Sequence, residues 1–313
     1  MAQLALRRVL TSIPILLAVS FVVFAMVALI PGDPAAVLAG ENATPEQIAE
    51  VRSSLGLDQP LLVRYWDWLW SALHGDFGQS LRTGQSVGQI LASHVTITLS
   101  LVAVTLVLAT AIGMAAGIVA AARAGGLVDR AITGLSAVAV ALPPFWVSLL
   151  LVLFFAVNVR LFPAVGYVPF AESPSEWLSH LFLPALALAA LPAAELALQL
   201  KDTLTAELRR DYVLTARAKG LSKPKILFKH TLKNAAIPVT TVLGYRTAQL
   251  IGGTVTVEVV FVIPGLGSTA VSSVQARDVT VLLGLVVLTT LAVVVINLIV
   301  DISYGYLNPK VRS

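Results

Sequence analysis

The sequence predicts an all-α membrane protein with six transmembrane helices. Of its 313 residues, 57% are hydrophobic and only 12% are charged. An ordinary water-soluble domain carries about 25% charge, so this chain has too little polar material to cover a surface facing water. Six apolar runs, at about 9–30, 97–121, 131–156, 181–200, 236–263 and 279–300, approach or exceed the roughly 20 residues needed to cross the hydrocarbon core. They are read as helices because a lipid-facing backbone must satisfy its own hydrogen bonds. With the N-terminus in the cytoplasm, the inner segments hold Arg7, Arg8, Arg123, Arg130, the nine basic residues from Lys201 to Lys233, Lys310 and Arg312. The outer segments hold Arg52, Arg64, Arg82, Arg160 and Arg277. Fifteen against five fixes the orientation. Both termini are expected in the cytoplasm of a cell bounded by this membrane.

The first run follows Arg7 and Arg8. At about 22 residues it exceeds the roughly 7–15 of a secretory signal core, so 1–30 is expected to be an uncleaved helix despite a loosely cleavage-like Val37-Leu38-Ala39. Residues 31–96 then form an extracytoplasmic insert. Within it, "TPEQIAEVRSSLGL" opens with Thr44 as N-cap, Pro45 at the first helical position and Gln47 at the third, a capping box. Ile48, Val51 and Leu55 recur on one helical face. Trp66, Trp68 and Trp70 follow, as an interfacial aromatic belt or as a surface for a partner.

Residues 97–313 are expected to form a five-helix core. Small residues crowd its first helix ("ATAIGMAAGIVAAA"), which suits close packing. Pro143-Pro144 and Pro192 are readable as kinks that a membrane helix tolerates. The run at 236–263 is the least regular, because it contains Arg246, Gly252-Gly253 and Glu258.

The most patterned polar segment is the inner loop 201–235. "DYVLTARAK" is helix-prone and ends at Gly220, a natural C′ residue, and Ser222 can cap a second helix running through Ile226, Leu227 and His230 toward Pro238. Scattered basic residues would suffice to fix topology. Here Tyr212, Val213, Leu214, Ile226 and Leu227 are interleaved with the charges, which favours a soluble or lipid-headgroup partner over a merely solvated loop.

Several chemistries are missing. There is no cysteine, which excludes disulfides and thiolate ligands. No G-x-x-x-x-G-K-[ST] phosphate loop or H-E-x-x-H occurs, and His74, His94, His180 and His230 show no metal-ligand spacing. The chain is therefore not expected to be an enzyme or to hold a metal or cofactor of its own, and nothing points to nucleic acid. Three charges fall inside apolar runs, where they are costly and usually face a bundle interior or a wet path. Glu195 and Arg246 differ in depth by roughly 5–10 Å at 1.5 Å per residue. They are candidates for a neutralising pair, either structural or on a translocation path. Glu258 lies nearer the outer surface, where it is expected to reach water.

"TARAKGL" at 215–221 followed by "HTLKNAAIP" at 230–238 resembles the cytoplasmic loop of membrane subunits of ATP-binding-cassette importers, in the oligopeptide/dipeptide/nickel group. "PGDP" at 31–34, "GDFGQS" at 75–80, "VEVVFVIPGLG" at 257–267 and "VDISYGYLNPKVR" at 300–312 extend the resemblance in order along nearly the whole chain. It implies a type I importer permease fold in a bacterial inner membrane, paired with a second, similar permease as a heterodimer. Two ATPase subunits carrying ATP and magnesium would sit beneath, and an extracytoplasmic binding protein would deliver the solute. The implied solutes are di- or oligopeptides, in a group that also moves nickel complexes, glutathione and oligosaccharides. The loop would be a coupling helix docked in an ATPase cleft. Thr215, Ala216, Arg217, Ala218, Lys219, Gly220 and Leu221 would lie at the contact, with His230 in its second half. Leu214-Thr215-Ala216 replaces the broader Glu-Ala-Ala, Asn308 and Lys310 stand where Asp and Arg are usual, and the surroundings of Glu195, Lys201 and Arg246 are less typical. The alternative is an ion-coupled secondary transporter using Glu195, Arg246 or Glu258, although its usual repeated halves are not evident.

Overall fold

A computed structural model describes residues 2–29, 34–40, 43–54 and 56–307. Pro31, Gly32 and Asp33 of the first matched motif, and Asn308, Lys310 and Arg312 of the last, lie outside them. In chain order the helices are α1 (Ala2–Ala28), α2 (Pro34–Ala39), α3 (Pro45–Ser54), α4 (Leu61–Leu73), α5 (Val87–Ala122) and α6 (Leu127–Ala141). Next come α7 (Pro144–Leu151), continued by a π-helical segment Val152–Asn158, α8 (Pro174–Glu207) and α9 (Asp211–Ala218). The short α10 (Lys223–Lys225) passes through a π-helical Ile226–Thr231 into α11 (Leu232–Val260), before α12 (Leu266–Ala276) and α13 (Val279–Leu307). Among the described residues the only extended pairing is an isolated bridge between Gln79 and Ser86.

Among the described residues, three helices are long and apolar enough to cross a membrane: α5, α8 and the Val279–Ile299 part of α13. The apolar stretch of α1, Leu10–Met26, is shorter, and α11 is diluted by Arg246, Gln249 and Glu258. The single kinked helix expected over 131–156 is instead broken into α6 and α7, which meet at 108°. Two consecutive prolines cause the break. Proline disfavours helical backbone in the residue before it, and Leu142 and Pro143 are both extended, with ψ of 128° and 141°. Pro144 then opens α7, where its missing N–H leaves nothing unsatisfied.

The chain divides into two compact units, one built from Thr98–Pro264 with Val295–Ser313 and the other from Ala2–Ile97 with Gly265–Val294. In the first, α8 is the hub. Its Leu196 and Leu200 are buried with Ala121, Leu204, Ala235 and Val239. The small residues of α5 have a specific use here. A Cβ on Gly113 would stand 2.8 Å from the Ala193 carbonyl oxygen, and one on Gly117 2.8 Å from that of Ala197. Glycines four apart thus let α5 lie directly on the α8 backbone.

In the second unit, Phe24, Tyr65 and Leu283 are buried together. The Tyr65 hydroxyl bonds Ser20 Oγ at 2.8 Å, and Trp68 packs 5.9 Å from the Phe24 ring. Trp66 and Trp70 remain exposed, so the three tryptophans do not share one role. The capping box forms: Thr44 N–H donates to Gln47 Oε1 at 2.9 Å and Gln47 N–H to Thr44 Oγ1 at 3.4 Å. "GDFGQS" closes on the start of α13, where Ser80 Oγ donates to buried Asp278. A Cβ on Gly78 would stand 3.1 Å from the Thr280 methyl, a tight fit for any side chain.

Candidate functional site

The polar loop is a small folded unit rather than a tether. Asp211 in the first turn of α9 and Arg217 in its last complement the helix dipole. Gly220, at φ +77°, closes the helix. Its N–H bonds the Arg217 carbonyl at 2.9 Å and the Leu221 N–H bonds that of Ala216 at 3.2 Å, a complete Schellman cap. Val213, Ala216 and Ile226 bury one another, with Leu208 and Leu221 packed against them. The apolar residues of the loop therefore split in use: Val213 and Ile226 form its own core, whereas Leu214 (57% exposed) and Phe228 (58% exposed) are left on the surface. Thr215, Arg217, Ala218, Lys219 and Gly220 are exposed beside Leu214; Ala216 is buried, and Leu221 and His230 are half-buried. The second helix begins after Ser222 and continues without a break into α11 and past Pro238.

Glu207, which the sequence pattern does not single out, ties this unit down. It is buried at the end of α8. Arg210 Nε lies 2.9 Å from its Oε1, while the Tyr212 hydroxyl donates to Oε2 at 2.7 Å and Asn234 Nδ2 at 3.4 Å. Burial pushes the Tyr212 hydroxyl above its ordinary pKa, and the Glu207 carboxylate reinforces the shift. The available signal is a carboxylate ending a long apolar helix, followed within five residues by two arginines and a tyrosine.

Further polar contacts give the first unit two ends. Lys201 Nζ lies 2.6 Å from Asp129 Oδ1 and donates to Thr133 Oγ1 at 2.9 Å, so the start of α6 sits beside the root of the polar loop. At the other end of α11, the Phe261 carbonyl accepts from Gly166 N–H at 2.8 Å.

The three charges within apolar runs have different fates. Arg246 Nε and Nη2 donate to the two carboxylate oxygens of Glu195, a bidentate pair bridging α11 to α8. Glu258 does not reach water. It is completely buried and accepts from Thr98 Oγ1 at 2.8 Å, because its position on α11 turns it toward α5. Among the described residues no group of histidine, aspartate and glutamate side chains could hold a metal ion.

These features define a helical membrane protein whose best-organised polar element is a structured loop. The chain belongs to the family described as binding-protein-dependent transport system inner membrane components, which matches residues 113–313, with the N-terminal part of such components matching 1–102. It is 39% identical over 312 residues to a protein named as a peptide transport system permease in Brucella abortus, covering 100% of this chain and 99% of that one. It is 40% identical over 312 residues to the glutathione transport system permease protein GsiC of Salmonella typhimurium, with the same coverage. Among solved structures, the inward-facing MetNI methionine ABC transporter matches 70% of this chain and 97% of its own at a TM-score of 0.57 and 18% identity, a likeness of fold. Family membership decides for an importer permease and against the ion-coupled alternative.

Proposed function

We propose that this chain is one of two homologous permease subunits of an ATP-driven importer, and that it forms part of a path for short peptides across a bacterial cytoplasmic membrane. α1, α5, the α6–α7 pair, α8, α11 and α13 would supply six crossings, with both termini in the cytoplasm and 31–96 outside. The two ends of the first unit support this sidedness. Arg123, Arg130 and the basic loop gather with the Lys201–Asp129 contact, and the segment around Gly166 gathers with the far end of α11.

The observation that carries the reading is the Schellman-capped α9, whose exposed Leu214, Thr215, Arg217 and Lys219 stand on a buried Val213–Ala216–Ile226 base. A prefolded knob with an apolar centre and a basic rim is suited to a cleft in a soluble partner. That partner would be one of two ATPases, which bind ATP and magnesium; the chain itself would hold neither. Nucleotide-driven closure of the ATPases would move both coupling loops and rock the permease pair between inward- and outward-open forms. An extracytoplasmic binding protein would deliver the peptide. Of the charges within apolar runs, Glu195 and Arg246 would border the path, while buried Glu258 holds α11 to α5.

The test is reconstitution with the ATPases, the second permease and the binding protein, followed by uptake of a labelled dipeptide. Uptake is expected to require ATP and to stop when Leu214 and Phe228 are both replaced by aspartate, with loss of the ATPases on purification. Uptake that persists without ATP would overturn the reading.

A further inference from the structure

The bidentate pair between Glu195 and Arg246 is not sealed: the two side chains retain 27% and 19% of their exposure. Arg246 Nη1 also donates to Gln249 Oε1, and its guanidinium carbon lies 5.6 Å from the centre of the Tyr245 ring, itself 61% exposed. On α11 the exposed positions include Tyr245, Gln249, Gly252, Gly253 and Thr256, which fall on one helical face. On α8, Gln199 and Asp202 continue the exposed stripe from Glu195. Turned toward hydrocarbon, such a face would leave two charges and two amides unsolvated. It borders water or protein.

We propose that Glu195 and Arg246 form a charge-selective contact on the translocation path, one that favours solutes carrying both a carboxylate and an ammonium group. This rests on the importer reading above. Charge neutrality sets the preference. A lone anion that captures Arg246 leaves Glu195 unpaired in a poorly solvated site, and a lone cation does the converse. A zwitterion can open the pair and leave both charges partnered, its carboxylate on the planar guanidinium fork and its ammonium on Glu195. The exposed Tyr245 ring supplies an apolar platform beside them.

The absence of cysteine makes one test direct, since Tyr245→Cys or Gln249→Cys supplies the only thiol of the chain. In the assembled complex with its binding protein, both are expected to react with a membrane-impermeant charged thiol reagent in at least one nucleotide state. Failure to react in any state would place the face against lipid or protein and overturn the proposal. The second test compares ATP-driven uptake of dialanine with that of N-acetyl-dialanine amide. Dividing the two rates and comparing variants cancels the binding protein's own preference. The Glu195→Gln/Arg246→Gln double variant is expected to lower the ratio about tenfold. An unchanged ratio, with dialanine still taken up by the wild type, sinks this inference alone. Wild-type vesicles that take up neither probe sink the importer reading and this inference with it. Should the double variant fail to assemble, the labelling result decides.

Discussion

The Tyr212 hydroxyl donates to Oε2 of Glu207 at 2.7 Å, pinning the first turn of α9 to the last turn of α8. Arg210 and Asn234 converge on the same carboxylate. One buried acid therefore orients both halves of the polar loop. Glu207→Ala removes the acceptor and strands these donors, at about 1–3 kcal/mol. The expected result is faster tryptic cleavage at Arg209, Arg210 and Arg217, read by mass spectrometry, with uptake reduced. Glu207→Gln should fall between the alanine variant and the wild type.

The pH dependence of this contact has a definite sign. The folded loop favours neutral tyrosine, so the Tyr212 contribution is fully present below the unfolded value of about pH 10 and is lost only as pH rises through the higher folded value. Thermal unfolding of wild type and Tyr212→Phe should run parallel below about pH 10 and converge above it. A gap that closes between about pH 6 and pH 9 would assign the contact to another group.

Gly220 lies in the left-handed region, and a Cβ placed on it would meet no atom within 4 Å, so backbone rather than space limits substitution in this chain. Gly220→Val should lose uptake, with about 1–2 kcal/mol of local strain. Gly220→Asn, which tolerates this conformation, separates the causes. Uptake near wild type would assign the loss to the backbone, and uptake as low as valine's to a clash with the partner.

Val262 is a β-branched residue at φ +53°, 63% exposed, in the C′ position of α11. Ile263 N–H reaches the Glu258 carbonyl at 2.8 Å across it, which holds the strain in place. Val262→Gly relieves about 1–2 kcal/mol of left-handed strain, less some gain in unfolded-state freedom. A net stabilisation of roughly 0.5–1 kcal/mol is expected, measurable as a raised Tm of the purified complex.

Gly113→Val and Gly117→Val each drive a side chain into an α8 carbonyl. About 1–3 kcal/mol of destabilisation is expected for each, seen as reduced membrane content of the protein. The double variant should assemble least.

Hydrophobic runs, capping residues and glycine at a helix end announce themselves locally, and so the helices, the Thr44–Gln47 box and the Gly220 cap are legible in the sequence. The break at Leu142 is less so, because one proline in a membrane helix bends it whereas two in succession remove adjacent donors and force extended backbone. Depth along a helix gives the proximity of Glu195 and Arg246. It does not give the burial of Glu258, which depends on the rotation of α11 toward Thr98. Glu207 escapes notice because Arg210 and Tyr212 look like ordinary loop residues and its third partner, Asn234, lies 27 residues along the chain on α11.

The loop from Asp211 to Thr231 is folded on a buried apolar base and anchored to Glu207 at the end of α8. A segment that had to order itself on docking would spend much of the contact energy on freezing its chain. This one is already folded and capped. In the proposed coupling role, displacement applied at its tip would pass to α8 and α11 with little compliance, so the stroke delivered to the membrane would be set by the motion of the neighbour rather than by slack in the linkage.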